Sequence, residues 1–279
     1  MDEDAGSMHR IFNSGAGAIV TKSIGLKPRE GYPNPTVIEL EHGILNAIGL
    51  SNPGIENFKG EILKLKKLNI PIIGSIFGLD YKEFVKLSIE MQNYGVDALE
   101  LNMSCPHAKG YGLEIGCDPD LVKEITSKVK KSTKIPVFVK ISPNLTNITE
   151  IAKAAEEGRS DGIVAINTIK AMKIDLELKI PVLSNKIGGY SGKAIKPIGI
   201  RCVYDISKNV DIPIIGVGGI TTGLDAIEYF MAGASAVQIG SAIYYKGLDV
   251  FKKISDEIRL WMKDHKYNYL SELIGVAHK

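Results

Sequence analysis

The chain has 279 residues, 44% of them hydrophobic and 24% charged, which is the profile of a globular protein with enough apolar material for a sizeable core. Its 34 basic and 32 acidic side chains leave a formal net charge of +2, which excludes a broad electropositive surface and argues against nucleic acid or anionic membrane as the main partner. A small-molecule ligand and a single domain over residues 1–279 are the expectation.

Taken in chain order, the N-terminal MDEDAGSMHR is acidic and lacks the basic head and apolar run of a secretory signal. No later stretch approaches the roughly 20 apolar residues that cross a bilayer, so a cytoplasmic protein is expected. A first strand is predicted at 18–22, and TVIELEHGILNAIGL at 36–50 reads as an inserted hairpin turning at His42 and Gly43. Strands follow at 71–76, 98–103, 136–141, 162–167, 213–217 and 236–240. Helical patterns lie between them at 82–94, 120–131, 148–157 and 224–232, with Asp118 and Pro119 placed as N-cap and first helical residue. A second insertion at 174–191 carries a short strand pair and a glycine-rich loop. The amphipathic stretches 250–262 and 270–274 read as outer helices.

The strands are near-continuous apolar runs rather than alternating ones, as expected of strands buried on both faces. Strand and helix alternate, so the fold class is α/β, and the length suits a (β/α)8 TIM barrel. Such a barrel needs one strand more than these runs supply. Because phosphate-type loops sit near the C-terminus, where a barrel's last two strands fall, the first strand is the one missing or truncated. Either the chain continues upstream of Met1, or the sheet has an open edge.

Candidate chemistry gathers at the C-terminal ends of the strands, where barrel active sites lie. The loop after 98–103 reads LNMSCPH and puts Cys105 there, beside Asn102 and Pro106; the competing reading is a buried structural cysteine. Lys22 and Lys140 end two apolar strands. Lysine is rarely buried without a partner, so the pair suggests an anionic ligand, although a solvated strand end is the plainer alternative for each. Gly216 to Ile220 and Gln238 to Ser241 follow successive strands, and glycine turns there free backbone N–H groups for a phosphate. Asn46, Asn102 and Asn167 add amides suited to a planar, amide-bearing acid, though each alone reads as a turn residue. The cysteines Cys105, Cys117 and Cys202 lack metal-binding spacing, so no metal is expected and any iron–sulfur cluster must sit on another chain.

The blocks TKSIGLKPREGYPNP, NAIGLSNPG, ELNMSCPH, VKISPN, INT, SNKIGGYSGKAIKPI, IPIIGVGGI and GASAVQIGSA, in this order, resemble class 1 dihydroorotate dehydrogenases over nearly the whole chain. The region 167–197 is most similar to the two-subunit, NAD-linked type. The resemblance implies oxidation of dihydroorotate to orotate in de novo pyrimidine (UMP) biosynthesis, with FMN as cofactor. It implies a homodimeric core and a partner subunit carrying FAD and a [2Fe-2S] cluster. By the same resemblance Cys105 removes the C5 proton while the C6 hydride passes to FMN, and Lys22 and Ser23 contact flavin and substrate. Lys140 lies by the flavin N1 and O2 edge. Asn46, Ala47, Ile48, Gly49, Leu50, Asn102, Asn167 and Thr168 hold the substrate; Asn102, Ile166, Gly192, Gly218, Gly219, Gly240 and Ser241 serve the flavin and its phosphate. His107 stands where the family carries a substrate-holding asparagine. The alternatives are a related flavin barrel acting on another dihydropyrimidine, and a flavin-free scaffold subunit.

Overall fold

The computed structural model of the protein describes residues 3–103 and 113–279. Its strands are β1 (Ile19–Val20), β2 (Val37–Leu40), β3 (Gly43–Asn46), β4 (Ile72–Ile76), β5 (Ala98–Asn102), β6 (Val137–Ile141), β7 (Gly162–Ala165), β8 (Ile169–Ala171), β9 (Ile174–Asp175), β10 (Ile180–Pro181), β11 (Gly188–Ser191), β12 (Ile214–Val217) and β13 (Ala236–Gln238). The helices are α1 (Ala5–Asn13), α2 (Ile55–Lys67), α3 (Tyr81–Tyr94), α4 (Leu113–Gly116), α5 (Pro119–Ser132), α6 (Ile148–Glu157), α7 (Lys196–Ser207), α8 (Gly223–Met231), α9 (Ala242–Lys246) and α10 (Val250–Asp264).

The main sheet has seven strands in the order β1-β4-β5-β6-β7-β12-β13, every neighbouring pair parallel. Parallel neighbours need crossovers, and the helices supply them. The sheet curls. Gln238 of β13 reaches Glu100 of β5 over 2.9 Å, although strands four places apart in a flat sheet lie about 19 Å apart, at roughly 4.8 Å per strand. The result is an open, curled half-barrel with helices packed outside it. Among the described residues β1 pairs only with β4 and β13 only with β12, so the curl stays open between them.

Local chemistry explains the element ends. Asp80 accepts from the N–H groups of Lys82 (2.9 Å) and Glu83 (3.0 Å) to start α3, which stops at Gly95 in the left-handed region with φ 95°. Asp118 caps α5 with Pro119 in its first turn, as the sequence predicts. The outward side chains of the sheet and the inner faces of the helices form one core that includes Phe58, Phe84, Leu87 and Met91, each fully buried. Burial of each such side chain contributes about 1.5–3 kcal/mol. Helix α1 is a further finding: Ala5, Met8 and Ile11 form its buried stripe, and Asp4 caps it by accepting from Ser7 N–H at 2.8 Å. Among the described residues no helix is long and apolar enough to cross a membrane.

The two insertions form one structure rather than two. Strands β2, β3, β11 and β8 make a four-stranded antiparallel sheet, joining residues 37–46 to residues 169–191. The glycine-rich segment expected as a loop is strand β11, and the hairpin turns at Glu41 and His42, with Gly43 already paired to Leu40. Close approach is the reason. A Cβ on Gly43 would sit 2.2 Å from the Ser191 carbonyl oxygen, and one on Gly188 would sit 2.8 Å from that of Asn46. Glycine is what lets β11 lie against β3. Strands β9 and β10 form the expected short pair, through Ile180 and Asp175.

Candidate active site

Period-2 geometry decides which side chains reach the inside of the curl. On β5, Leu99 and Leu101 point outward into the core, leaving Glu100 and Asn102 inward; the register aligns Ser75 with Glu100, and Asn102 with Lys140. These inward groups line a cavity of about 850 Å³, within the range of roughly 300–1,000 Å³ usual for ligand sites. Its walls include the apolar Val20, Ile73 and Ile215, and among the described residues the charged ones lining it are Lys22, Glu100 and Lys140.

The floor is a connected polar network. Asn167 Nδ2 donates to Asn102 Oδ1 at 3.4 Å, Asn102 Nδ2 to Ser23 Oγ at 2.9 Å, and the Ser23 and Ser75 hydroxyls meet at 2.9 Å. Ser75 Oγ donates to Glu100 Oε1 at 3.3 Å, where Lys140 Nζ also donates at 3.3 Å, and Gln238 Nε2 donates to Glu100 Oε2. Lys22 Nζ is paired with Glu3 at 3.1 Å. Polar side chains on strands otherwise filled with apolar residues survive burial because each has such partners.

The structure brings Lys22, Ser23, Asn46, Ile48, Gly49, Leu50, Asn102, Lys140, Asn167 and Gly240 to the wall of this one cavity. Other expected site residues fall elsewhere. The Ala47 side chain packs with Leu45 and Leu183, and Ile166 lies in the main core. Thr168 takes the Asn167 side-chain oxygen on its N–H at 2.8 Å, and its carbonyl accepts from Asn144 Nδ2 at 3.0 Å. Ser241 is half-buried at the start of α9. Gly216 has a packing reason: a Cβ there would lie 2.4 Å from the Tyr229 ring. Cys105 and His107 lie outside the described residues. Sequence reasoning missed Ser75 and Glu100, and placed Gln238 in a phosphate-type loop rather than against Glu100. Their signal was an isolated polar residue inside otherwise apolar strand runs (IIGSI, ALELN, AVQ), which marks the residue but not the face it takes.

Behind the cavity the expected phosphate loops are rigidly backed. Gly218 and Gly219 have φ 135° and 69°, Gly192 has φ 113°, and a Cβ on Gly219 would lie 2.7 Å from the Gly192 carbonyl oxygen. Gly240 faces open space, with nothing within 4 Å of a Cβ built there. Asp225 accepts from Thr221 N, Thr221 Oγ1 and Thr222 N, each at 2.9 Å, and from Lys196 Nζ at 2.8 Å. Burial alone would raise its pKa, but the hydrogen bonds from Lys196, Thr221 and Thr222 outweigh it and hold the carboxyl at about 2. Burial likewise opposes the charge of Lys196, yet its bonds to Asp225 and Glu228 keep it above the ordinary lysine range. Burial pushes the Tyr229 phenol up, and its O–H donates to the Gly218 carbonyl at 2.7 Å. Two lysines, an apolar slot and open backbone at Gly240 give the cavity a lining that fits a flat, anionic group such as a flavin.

Comparison with known proteins agrees with this geometry. The family profile described as dihydroorotate dehydrogenase matches residues 1–262. A curated relative from Thermoplasma volcanium, named dihydroorotate dehydrogenase B (NAD(+)), catalytic subunit, is 53% identical over 279 residues, covering 100% of this chain and 92% of that protein. Relatives of the same name from Methanocaldococcus jannaschii and Pyrococcus furiosus are 53% and 52% identical; they cover 100% and 98% of this chain, and 92% and 90% of their own lengths are matched. A profile match over most of the chain, joined to identity of this extent, places the protein: the chain belongs to the dihydroorotate dehydrogenase family.

Proposed function

We propose that this chain is the catalytic subunit that oxidises dihydroorotate to orotate in pyrimidine biosynthesis, with FMN held in the barrel cavity. The observation that carries the reading is the convergence of Lys22, Lys140, Asn46, Asn102 and Asn167 on one cavity with apolar walls. A planar, amide-bearing acid loses hydrogen bonds to water at every polar edge when it is desolvated, and this set replaces them. Lys22 and the amides hold and orient the substrate, while the apolar walls exclude water. Cys105, three positions beyond the end of β5, takes the proton from C5. FMN, when bound, supplies the two-electron acceptor for the hydride leaving C6. Lys140 counters the negative charge that arrives with it. Gly192, Gly218, Gly219, Gly240 and Ser241 hold the phosphate. A partner subunit carrying FAD and a [2Fe-2S] cluster would link this chain to NAD, in keeping with the relatives' names as NAD(+)-linked catalytic subunits.

Steady-state assay of the purified chain with FMN and an artificial acceptor tests this. Dihydroorotate should turn over, and dihydrouracil, which lacks the carboxylate, should be about a hundredfold poorer in kcat/KM, the weight of a lost charge-assisted contact. Equal turnover of both would assign the site to another dihydropyrimidine. A colourless chain without turnover would point instead to a scaffold subunit.

A further inference from the structure

Glu100 is the one carboxylate lining the described cavity wall, and its side chain is only 2% exposed. A buried carboxylate is tolerated only when its oxygens are satisfied, and here Lys140, Ser75 and Gln238 all donate to it. Those donors come from β6, β4 and β13, so one side chain ties together three other strands of the curl. The network also has a direction. A serine hydroxyl has a single proton; that of Ser75 goes to Glu100, so Ser23 must donate to Ser75, and Ser23 in turn accepts from Asn102, which accepts from Asn167. The proton donors run one way, from Asn167 to the charge on Glu100.

We propose that Glu100 is a positioning residue for the reaction: its charge holds the Lys140 ammonium on the cavity floor and orients the run through Ser75, Ser23, Asn102 and Asn167 in one sense. The inference rests on the flavin-dependent oxidation proposed above. Among the described residues the other charges facing the cavity are Lys22, paired with Glu3, and Lys140 itself. A neutral group at position 100 has two consequences. Lys140 loses the carboxylate that holds its ammonium in place. The floor also becomes more positive by one charge, which favours a bound acceptor in its more negative, reduced state.

Two measurements on the 279-residue chain test this, with circular dichroism confirming the fold. The first needs no flavin. Trace acylation by acetic anhydride, read by mass spectrometry on the peptide bearing Lys140 and referred to the exposed Lys131, should be at least about fivefold faster in Glu100→Gln, because the amine is no longer held by the carboxylate and is free to meet the reagent. Glu100→Asp should return it toward the parent rate. Ser75→Ala, which cuts the run but leaves the ion pair, should keep Lys140 acylation near the parent rate while raising KM for dihydroorotate. Equal Lys140 acylation in Glu100→Gln and the parent overturns the proposal, as does Ser75→Ala with an unchanged KM. The second is the midpoint potential of bound FMN. Glu100→Gln should favour the reduced flavin about tenfold, roughly 30 mV for a two-electron couple, and an unchanged potential overturns the electrostatic role. A parent chain that neither binds FMN nor oxidises dihydroorotate defeats the proposed function instead, and the acylation result still decides whether Glu100 governs Lys140.

Discussion

A thiol has an ordinary pKa of roughly 8.5, so at neutral pH most of it is protonated and cannot act as a base. If Cys105 takes the C5 proton, the rate of dihydroorotate oxidation should rise with pH toward that value, because only the thiolate can accept. Cys105→Ala should lower kcat by about 10²–10⁴, the usual weight of a positioned base. Cys105→Ser should be slow near neutrality and recover at high pH. A pH–rate profile of the three proteins checks this, and a parent rate in Cys105→Ala removes the residue from the mechanism. The lysines were legible because their type is rarely buried at strand ends; Glu100 was overlooked because one acidic residue in ALELN carries no sign of which face it takes.

At the scale of elements, the loop after β12 owes its shape to one carboxylate. Asp225 joins Thr221 and Thr222 at the start of α8 to Lys196 of α7, and completes a capping box with Thr222. Its pKa is about 2 in the folded chain against an ordinary 3.8. A depressed acid stabilises the fold above its unfolded pKa and stops doing so as pH falls through the folded one. Asp225 should therefore contribute about 2 kcal/mol at pH 7, fading between about pH 4 and pH 2. Urea unfolding of the parent and Asp225→Asn should differ by about that much at pH 7 and converge in acid; a constant gap would show that the cost is packing rather than charge. The paired insertions make a related point. Gly43 and Gly188 read as turn residues in the sequence, but their real task is to let β3 and β11 touch across more than a hundred residues of chain.

Across the whole molecule, a curled parallel sheet with two unpaired edges should be unevenly protected. Strands β5, β6 and β7 each have a neighbour on both sides, whereas among the described residues β1 and β13 are bonded on one side only. Ile19 and Thr21 direct their N–H groups to β4, so by strand alternation the Val20 N–H faces the open side. In native-state hydrogen exchange of this chain, amides at 99–101 and 137–141 should exchange slowest, and Val20 and the open-side amides of β13 faster by orders of magnitude. Equal protection at Val20 and in β5 would mean that this edge is covered. The Gln238 to Glu100 bond crosses the inside of the curl and couples the β13 edge to a central strand.

The amino-acid sequence by itself determined the seven parallel strands, four of the helices between them (α3, α5, α6 and α8), and the Lys22, Lys140, Asn46, Asn102 and Asn167 set, because burial on both faces and polar residues at strand ends leave a one-dimensional trace. It also held, in motif order, the family resemblance. Only the tertiary structure decided that the two insertions form one sheet, that Ala47 and Ile166 turn into packed interior, and that Ser75, Glu100 and Gln238 meet. These depend on register and on how far the sheet curls. Contacts between residues 75, 100, 140 and 238 are long-range consequences of that curl, and no local period in the chain encodes them.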